Sequence, residues 1–428
     1  MAERVAPDTA GAPAPADLIE PPVNHGWRVT FAGLGINLAL GVLYSWSIIR
    51  GGMTRDGWGW SASEMSLPYS TACLVFCLIM VPAGRMQDRL GPRLVATIGG
   101  LLVGAGMILA SLMGNSQAGY VIGFGVLAGA GIGFGYASAT PPAVKWFSAA
   151  RTGLIAGLVV SGFGLASVYV APLATWLIHA TGLSTTVLIL GVGFLVIVCG
   201  LAQLLKPPPE GYVPAGTPPV RPGTPARKED FTPGEMLRTW QFYLLWFMYA
   251  CGAGAGLMVI SIAKTLGKAE AGVLAVVTLA VGNGAGRIVA GIISDKLGRK
   301  TALVLFLLFQ AVMVFLLSMA GPNSALGGAA ALAIIAALVG ANYGSNLSLF
   351  PSITKDYYGL RNFGVNYGLV FTAWGVGGFV LAQLAGWVKD TYNTFTYSYY
   401  ASAILLIVAA AVTLIVRPPQ HEVGPPEG

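Results

Sequence analysis

NGAGRIVAGIISDKLGRK, from Asn283 to Lys300, places an arginine inside an apolar segment that begins near Ala271. The stretch closes on Asp295, Gly298 and the basic pair Arg299 and Lys300. A cation held deep in a membrane helix costs about 2.5–3.5 kcal/mol on insertion scales. Residues carrying that cost commonly line a substrate or ion path, so Arg287 is the first candidate functional residue.

Composition says which solvent the segment meets. Of 428 residues, 55% are hydrophobic and 10% charged. A soluble domain carries about 25% charged residues. The chain cannot cover a water-facing surface, and lipid is its solvent. The net charge of +7 then belongs to loops at one membrane face rather than to nucleic-acid binding. Cys73, Cys77, Cys199 and Cys251 all fall in apolar segments and read as packing residues. His25, His179 and His421 lie at or beyond segment ends. No nucleophile-base pair, metal-ligand set or cofactor motif is visible, so neither an enzyme nor a bound cofactor is expected. Residues 1–28 lack the basic start and apolar core of a cleavable signal and read as a disordered cytoplasmic tail.

A span needs about 20 apolar residues. Twelve candidates follow: 29–49, 66–84, 94–113, 120–142, 153–178, 186–205, 240–263, 270–294, 301–319, 326–350, 364–388 and 397–416. The fold class expected is an all-α membrane protein of twelve helices in two pseudo-symmetric six-helix bundles, 29–205 and 240–416. Residues 206–239 separate the bundles. The eight prolines between Pro207 and Pro225 make this an extended linker. Thr232-Pro233-Gly234-Glu235 reads as the start of a short interfacial helix. Loops after even-numbered spans hold fifteen Lys and Arg, those after odd-numbered spans five, and the tails, the second of them 417–428, three. By the positive-inside rule the even side and both termini face the cytoplasm, here of a bacterial membrane. The one remaining basic residue is Arg287.

The two halves repeat. Gly84 to Arg93, GRMQDRLGPR, matches Gly291 to Lys300, GIISDKLGRK, at an offset of 207. Gly153, Gly157 and Ser161 match Gly364, Gly368 and Thr372 at an offset of 211 and read as equivalent internal packing faces. The glycine clusters of span four and span seven (Gly252, Gly254 and Gly256) complete no nucleotide-binding pattern and also read as packing. Matched halves mark a transporter whose substrate site lies near midplane between them.

The repeated G-x-x-x-D-[RK]-x-G-x-[RK] segment resembles the signature loop of the major facilitator superfamily. Within it the chain is similar to the oxalate/formate antiporters and the monocarboxylate transporters. Tyr44-Ser45-Trp46-Ser47, Lys145-Trp146-Phe147, Glu235-Met236-Leu237-Arg238 and Asn366-Tyr367-Gly368 carry that likeness. The resemblance implies that Asp88 and Arg89, with Asp295 and Lys296, latch helices on the cytoplasmic side and release them as the halves rock. It also implies an aspartate one turn before the span-eight arginine, where this chain has Asn283, and a lysine in span eleven of oxalate carriers, where this chain has Trp374. Asparagine cannot carry a proton. One deep cation suits a monoanion better than a dianion.

Every Asp and Glu lies in a tail, a loop or near a span end, so Arg287 has no buried acid to neutralise it. An unpaired guanidinium can clamp a carboxylate bidentately. Asn283, Asn342, Asn346, Tyr343, Asn37, Tyr44, Tyr69, Tyr136 and Trp374 are candidates to complete the site, with interhelical hydrogen bonding or packing as the plainer alternative. Asn37 and Tyr44, seven apart, should share a face of span one. The expectation is a carrier of a small monocarboxylate such as lactate or pyruvate, moving with a proton by alternating access. Anion exchange, including oxalate for formate, comes second, and a non-transporting membrane sensor third. No obligate protein partner is expected.

Overall fold

The computed structural model describes residues 24–148, 151–209, 212, 214, 230–266, 269–320, 324–359 and 362–419, with the backbone alone at Thr152, Gly153, Ala269 and Glu270. The disordered tail expected over residues 1–23, most of the extended Pro-rich linker and the tail residues 420–428 lie outside the described residues.

Among the described residues twelve helices are long and apolar enough to cross a membrane: Gly26–Arg55, Ala62–Leu90, Pro92–Leu112, Gln117–Val144, Leu154–Thr181, Leu183–Ala202, Trp240–Thr265, Ala271–Leu297, Arg299–Ser318, Ala329–Tyr358, Phe363–Tyr392 and Thr396–Ile415. They are spans one to twelve. The packing repeats between the halves. Spans one and five pair as seven and eleven do, two and four as eight and ten, three and six as nine and twelve. The halves meet through spans two and eleven and through spans five and eight. A short helix, Pro233–Arg238, leads into span seven. Its capping box joins Thr232 and Glu235: the Glu235 amide donates to Thr232 Oγ1 at 3.3 Å, and the Thr232 amide to Glu235 Oε2 at 2.7 Å.

Several helices outrun their apolar stretch. The repeated signature segments are not loops. Gly84 to Leu90 and Gly291 to Leu297 complete spans two and eight. The chain reverses on one residue each time, Gly91 at φ 85° and Gly298 at φ 86°, a left-handed backbone that glycine adopts without cost. Span one likewise continues to Arg55, which takes Arg50 into the helix. Arg287 is therefore not alone. Arg50 is only 5% exposed, donates to Ser66 Oγ at 3.3 Å and sits 5.7 Å from the Phe395 ring centre.

The glycines of spans three, four, seven and eleven pack backbone to backbone. A β-carbon on Gly99 would stand 2.8 Å from the Gly131 carbonyl oxygen, and one on Gly254 2.7 Å from that of Gly377. The seam between spans two and eleven tells which end of the molecule is shut. Toward the end bearing the loop after span one, a β-carbon on Gly386 would stand 2.7 Å from Ser63 Cα. Further along, Gly375 and Gly378 press on Cys77 and Cys73. Then Gly368 meets only Val81 at 3.4 Å, and Gly364 and Gly84 have nothing within 4 Å among the described residues. Gly157 and Gly291, on spans five and eight, are equally open. The expectation that Gly157, Gly364 and Gly368 form packing faces is thus corrected for this conformation, because the halves diverge toward the signature-segment end.

The shut end is held by a carboxylate. Asp390 of span eleven accepts the amides of Ala62 and Ser63, 2.6 and 2.8 Å away, at the first turn of span two. An acid there completes orphan donors and meets the positive end of the helix dipole. Losing such a cap costs about 1 kcal/mol, or a fivefold shift in an equilibrium. Asp390→Ala is expected to open this end more often. Cys73 and Cys77, fully buried on the seam, report it. Their labelling by a membrane-impermeant thiol reagent should rise about fivefold once Cys199 and Cys251 are replaced by serine. Labelling at the wild-type rate would show that Asp390 does not hold the seam.

Candidate functional site

Arg287 reaches from span eight across the interface between the halves. Its chain position is set by the tight seam of spans eight and ten, while its neighbour Ile288 is 66% exposed on the lipid side. Arg287 itself is 9% exposed. Its Nε donates to Asn283 Oδ1 at 3.3 Å, and its Nη1 donates to the carbonyl oxygen of Val160 in span five at 3.0 Å. Tyr136, Tyr44 and Tyr367 lie near enough to feel its charge. Among the described residues no carboxylate stands within 4 Å of the guanidinium. The Asn283 Nδ2 donor is buried and has no partner. The site therefore offers a buried positive charge and a buried amide donor with no acid among the described residues to answer them.

An aromatic box adjoins this cation. Tyr44, Phe76, Tyr136 and Phe163 from the first half and Leu347, Phe371 and Trp374 from the second meet in a seam too tight to hold a water molecule. Phe371 stacks on Trp374 with ring centres 5.2 Å apart, and Phe76 meets Trp374 edge-on at 5.1 Å. At one wall Trp374 Nε1 donates to the Tyr343 hydroxyl at 2.7 Å, and that hydroxyl shares a 2.5 Å hydrogen bond with Tyr44 of the other half.

The sequence-derived candidates divide accordingly. Asn283, Tyr136, Tyr44, Tyr343 and Trp374 gather around or beside Arg287. Four others take different partners. Asn37 donates to the Val159 carbonyl within its own half. Tyr44, beyond the start of the 3-10 turn Gly41–Ser45, packs edge-on against Phe163 of the same span five with ring centres 4.8 Å apart. Asn346 bonds to Gln310 Oε1 and the Asn342 carbonyl inside the second half. Asn342 donates to Leu338 of its own helix. Tyr69 donates to the Leu257 carbonyl across the shut end of the seam. At the diverging end Asp88, Arg89 and Lys296 are exposed. Asp295 pairs with Arg299 of its own half at 2.6 Å, and Arg299 also reaches Asp356 at 3.2 Å. These contacts join spans eight, nine and ten, and no ion pair joins the two halves there among the described residues.

Sequence reasoning missed Phe76, Phe163, Phe371 and Leu347, whose types are common in any apolar span. It also missed the Val160 carbonyl, a main-chain group with no side-chain signal.

Comparison with known proteins places this architecture. The chain is 29% identical over 364 residues to the uncharacterised MFS-type transporter YhjX of Escherichia coli, covering 82% of this chain and 85% of that protein. It is 26% identical to the oxalate:formate antiporter of Oxalobacter formigenes, covering 92% of each. It is 26% identical to monocarboxylate transporter 11 of Homo sapiens, covering 94% of this chain and 84% of that protein. A solved bacterial homologue of the human lysosomal transporter Spinster, inward-facing and unoccupied, superposes with a TM-score of 0.64 at 14% identity, covering 91% and 96%. Residues 29–323 and 247–428 match the Major Facilitator Superfamily. The chain is a multi-pass integral membrane protein, with twelve spans among its described residues, and belongs to the Major Facilitator Superfamily of transporters.

Proposed function

We propose that the protein carries a small monocarboxylate, of the size of lactate or pyruvate, across the bacterial cytoplasmic membrane by alternating access. The observation that supports this is the buried Arg287 guanidinium, free of any acid within 4 Å among the described residues, between the two halves. One carboxylate supplies its missing counter-charge. The rings beside it, Trp374 among them, are closed on one another here; parted, they give a short tail an apolar wall and offer no second cation for a dianion. Relatives named for carboxylate transport point the same way. The diverging end is the one that the basic residues assign to the cytoplasm, so the conformation described is open inward. Substrate reaches Arg287 from that side in this conformation, and from the other side once the seam of spans two and eleven has opened at Asp390.

A proton is the first coupling partner that the sequence suggests and a counter-anion the second. Asparagine at 283 cannot titrate, and that favours the counter-anion. Purified protein in lipid vesicles should take up labelled lactate with saturation, and equimolar oxalate should leave that uptake unchanged. Oxalate competing as well as lactate would point to a dianion exchanger. Binding of lactate with no net or exchange flux would point to a sensor.

A further inference from the structure

We propose that the empty carrier is locked: the hydrogen bond from Arg287 to the Val160 carbonyl ties the halves together until an anion takes the guanidinium, and Gly164 is the positioning residue that lets the lock close. The proposal rests on the carboxylate-carrier reading and deepens it by assigning the coupling.

The bond joins span eight of one half to span five of the other at 3.0 Å. It is the contact by which the site's own cation holds both bodies. A neutral carbonyl is a weaker acceptor for a guanidinium than a carboxylate, which accepts two parallel bonds and cancels the charge. An entering carboxylate therefore displaces Val160. The buried Asn283 Nδ2, which has no partner, adds a donor that only a ligand supplies with an acceptor. Loading changes two things together. The tie between the halves is released, and a site of net charge +1 becomes neutral, because Asn283 contributes no charge and no carboxylate lies within 4 Å among the described residues. Empty reorientation must instead break a charge-assisted hydrogen bond, worth about a 10- to 100-fold change in rate, and pass a bare cation through an occluded state. Reorientation is thus fast only when loaded, which makes the transporter an exchanger.

Gly164 sits one turn after Val160 on span five. A β-carbon there would stand 3.3 Å from Arg287 Nη2 and 3.3 Å from Asn283 Nδ2. Alanine forces these groups away by a few tenths of an ångström, enough to lengthen the Arg287–Val160 bond. Gly284, at the same interface, faces Leu165 side-chain atoms at 3.0 Å instead.

The test uses the full-length protein in vesicles loaded with labelled lactate, at equal pH on both sides and zero membrane potential. Efflux is measured into buffer and into buffer holding unlabelled lactate. The wild type should show exchange at least 10-fold faster than net efflux. Gly164→Ala should lower that ratio at least fivefold, whatever its absolute rates, whereas Gly284→Ala should keep it. Equal net efflux and exchange in the wild type overturns the lock and leaves the carboxylate reading standing, since a proton symporter behaves that way. A Gly164→Ala protein with both fluxes reduced in proportion also overturns it, because a residue needed only for packing slows both alike. Absence of lactate flux in either protocol overturns the carboxylate reading and the lock with it.

Discussion

Arg287→Gln should abolish carboxylate transport, with uptake falling about 30-fold or more. Removing one partner from a buried, hydrogen-bonded charge pair typically costs about 2–5 kcal/mol, and each 1.4 kcal/mol is about tenfold in an equilibrium. The loss should fall on substrate affinity and on the loaded reorientation, because both need the counter-charge. Arg287→Lys keeps the charge but replaces the planar fork with one rotatable ammonium. It cannot bond a carboxylate bidentately while also reaching Asn283, so it should recover only a small part of the activity. Glutamine has no charge to bury, and the protein should remain folded and as monodisperse in detergent as the wild type. Initial rates of labelled lactate uptake, normalised to protein incorporated in vesicles, check the prediction. Undiminished uptake by Arg287→Gln would remove the central premise of the proposed function.

A single methyl group on the neighbouring residue should be as damaging for a different reason. Spans eight and ten cross with their backbones in contact. A β-carbon on Gly282 or Gly286 would collide with the main-chain carbonyls of Ala337 or Ala341, and one on Gly340 or Gly344 with those of Leu279 or Asn283. These are backbone atoms on both sides, so no side-chain rotation relieves the clash. Overpacking a well-fitted core costs about 1–3 kcal/mol; Gly286→Ala should cost about 3 kcal/mol or more, since two whole helices must part. The signs of the competing effects differ. In a helix free of neighbours, alanine is favoured over glycine by about 1 kcal/mol. A lower Tm in detergent together with lost uptake supports the seam, and a raised Tm with normal uptake rules it out. The seam also explains why Asn283 and Arg287 sit where they do. It fixes span eight against span ten on one side, so that Arg287 projects toward span five on the other.

Much of the fold is legible in the sequence because lipid imposes a local rule. Each span must be apolar along its own length and satisfy its own backbone hydrogen bonds. The twelve spans, the duplicated halves and the isolation of Arg287 from acids all follow from counting residues along the chain. The same rule misleads at the ends. It closed span one near residue 49 and so left Arg50 in a loop, whereas the helix runs to Arg55 and Arg50 is buried. Helix ends near the membrane surface are held by neighbours rather than by transfer energy. The duplicated segments look like loops because they are polar, yet they are helical up to Gly91 and Gly298.

The candidate site was legible only at its charge. Arg287 is conspicuous in sequence because a buried cation is costly wherever it points, and Asn283 follows from the helical period. Choosing among the other polar residues was beyond the pattern. Tyr44 and Tyr343 meet each other, while Asn37, Asn346 and Tyr69 bond elsewhere. Their residue types are the same in both groups. The glycine pairs 282 and 286, and 340 and 344, are visible as spacings, but nothing along the chain says that they face one another.

The sequence by itself determined the solvent, the number of spans, the two-fold repeat and the presence of one uncompensated deep cation, since each is a sum over single residues or a match of one segment to another. Tertiary structure alone decided that Arg287 reaches the Val160 carbonyl of the opposite half, that aromatic rings from both halves close on one another beside it, and that the molecule is shut at Asp390 and open at the signature segments. Those are properties of surfaces meeting, and a helix does not carry in its own order of residues the identity of the face that will be pressed against it.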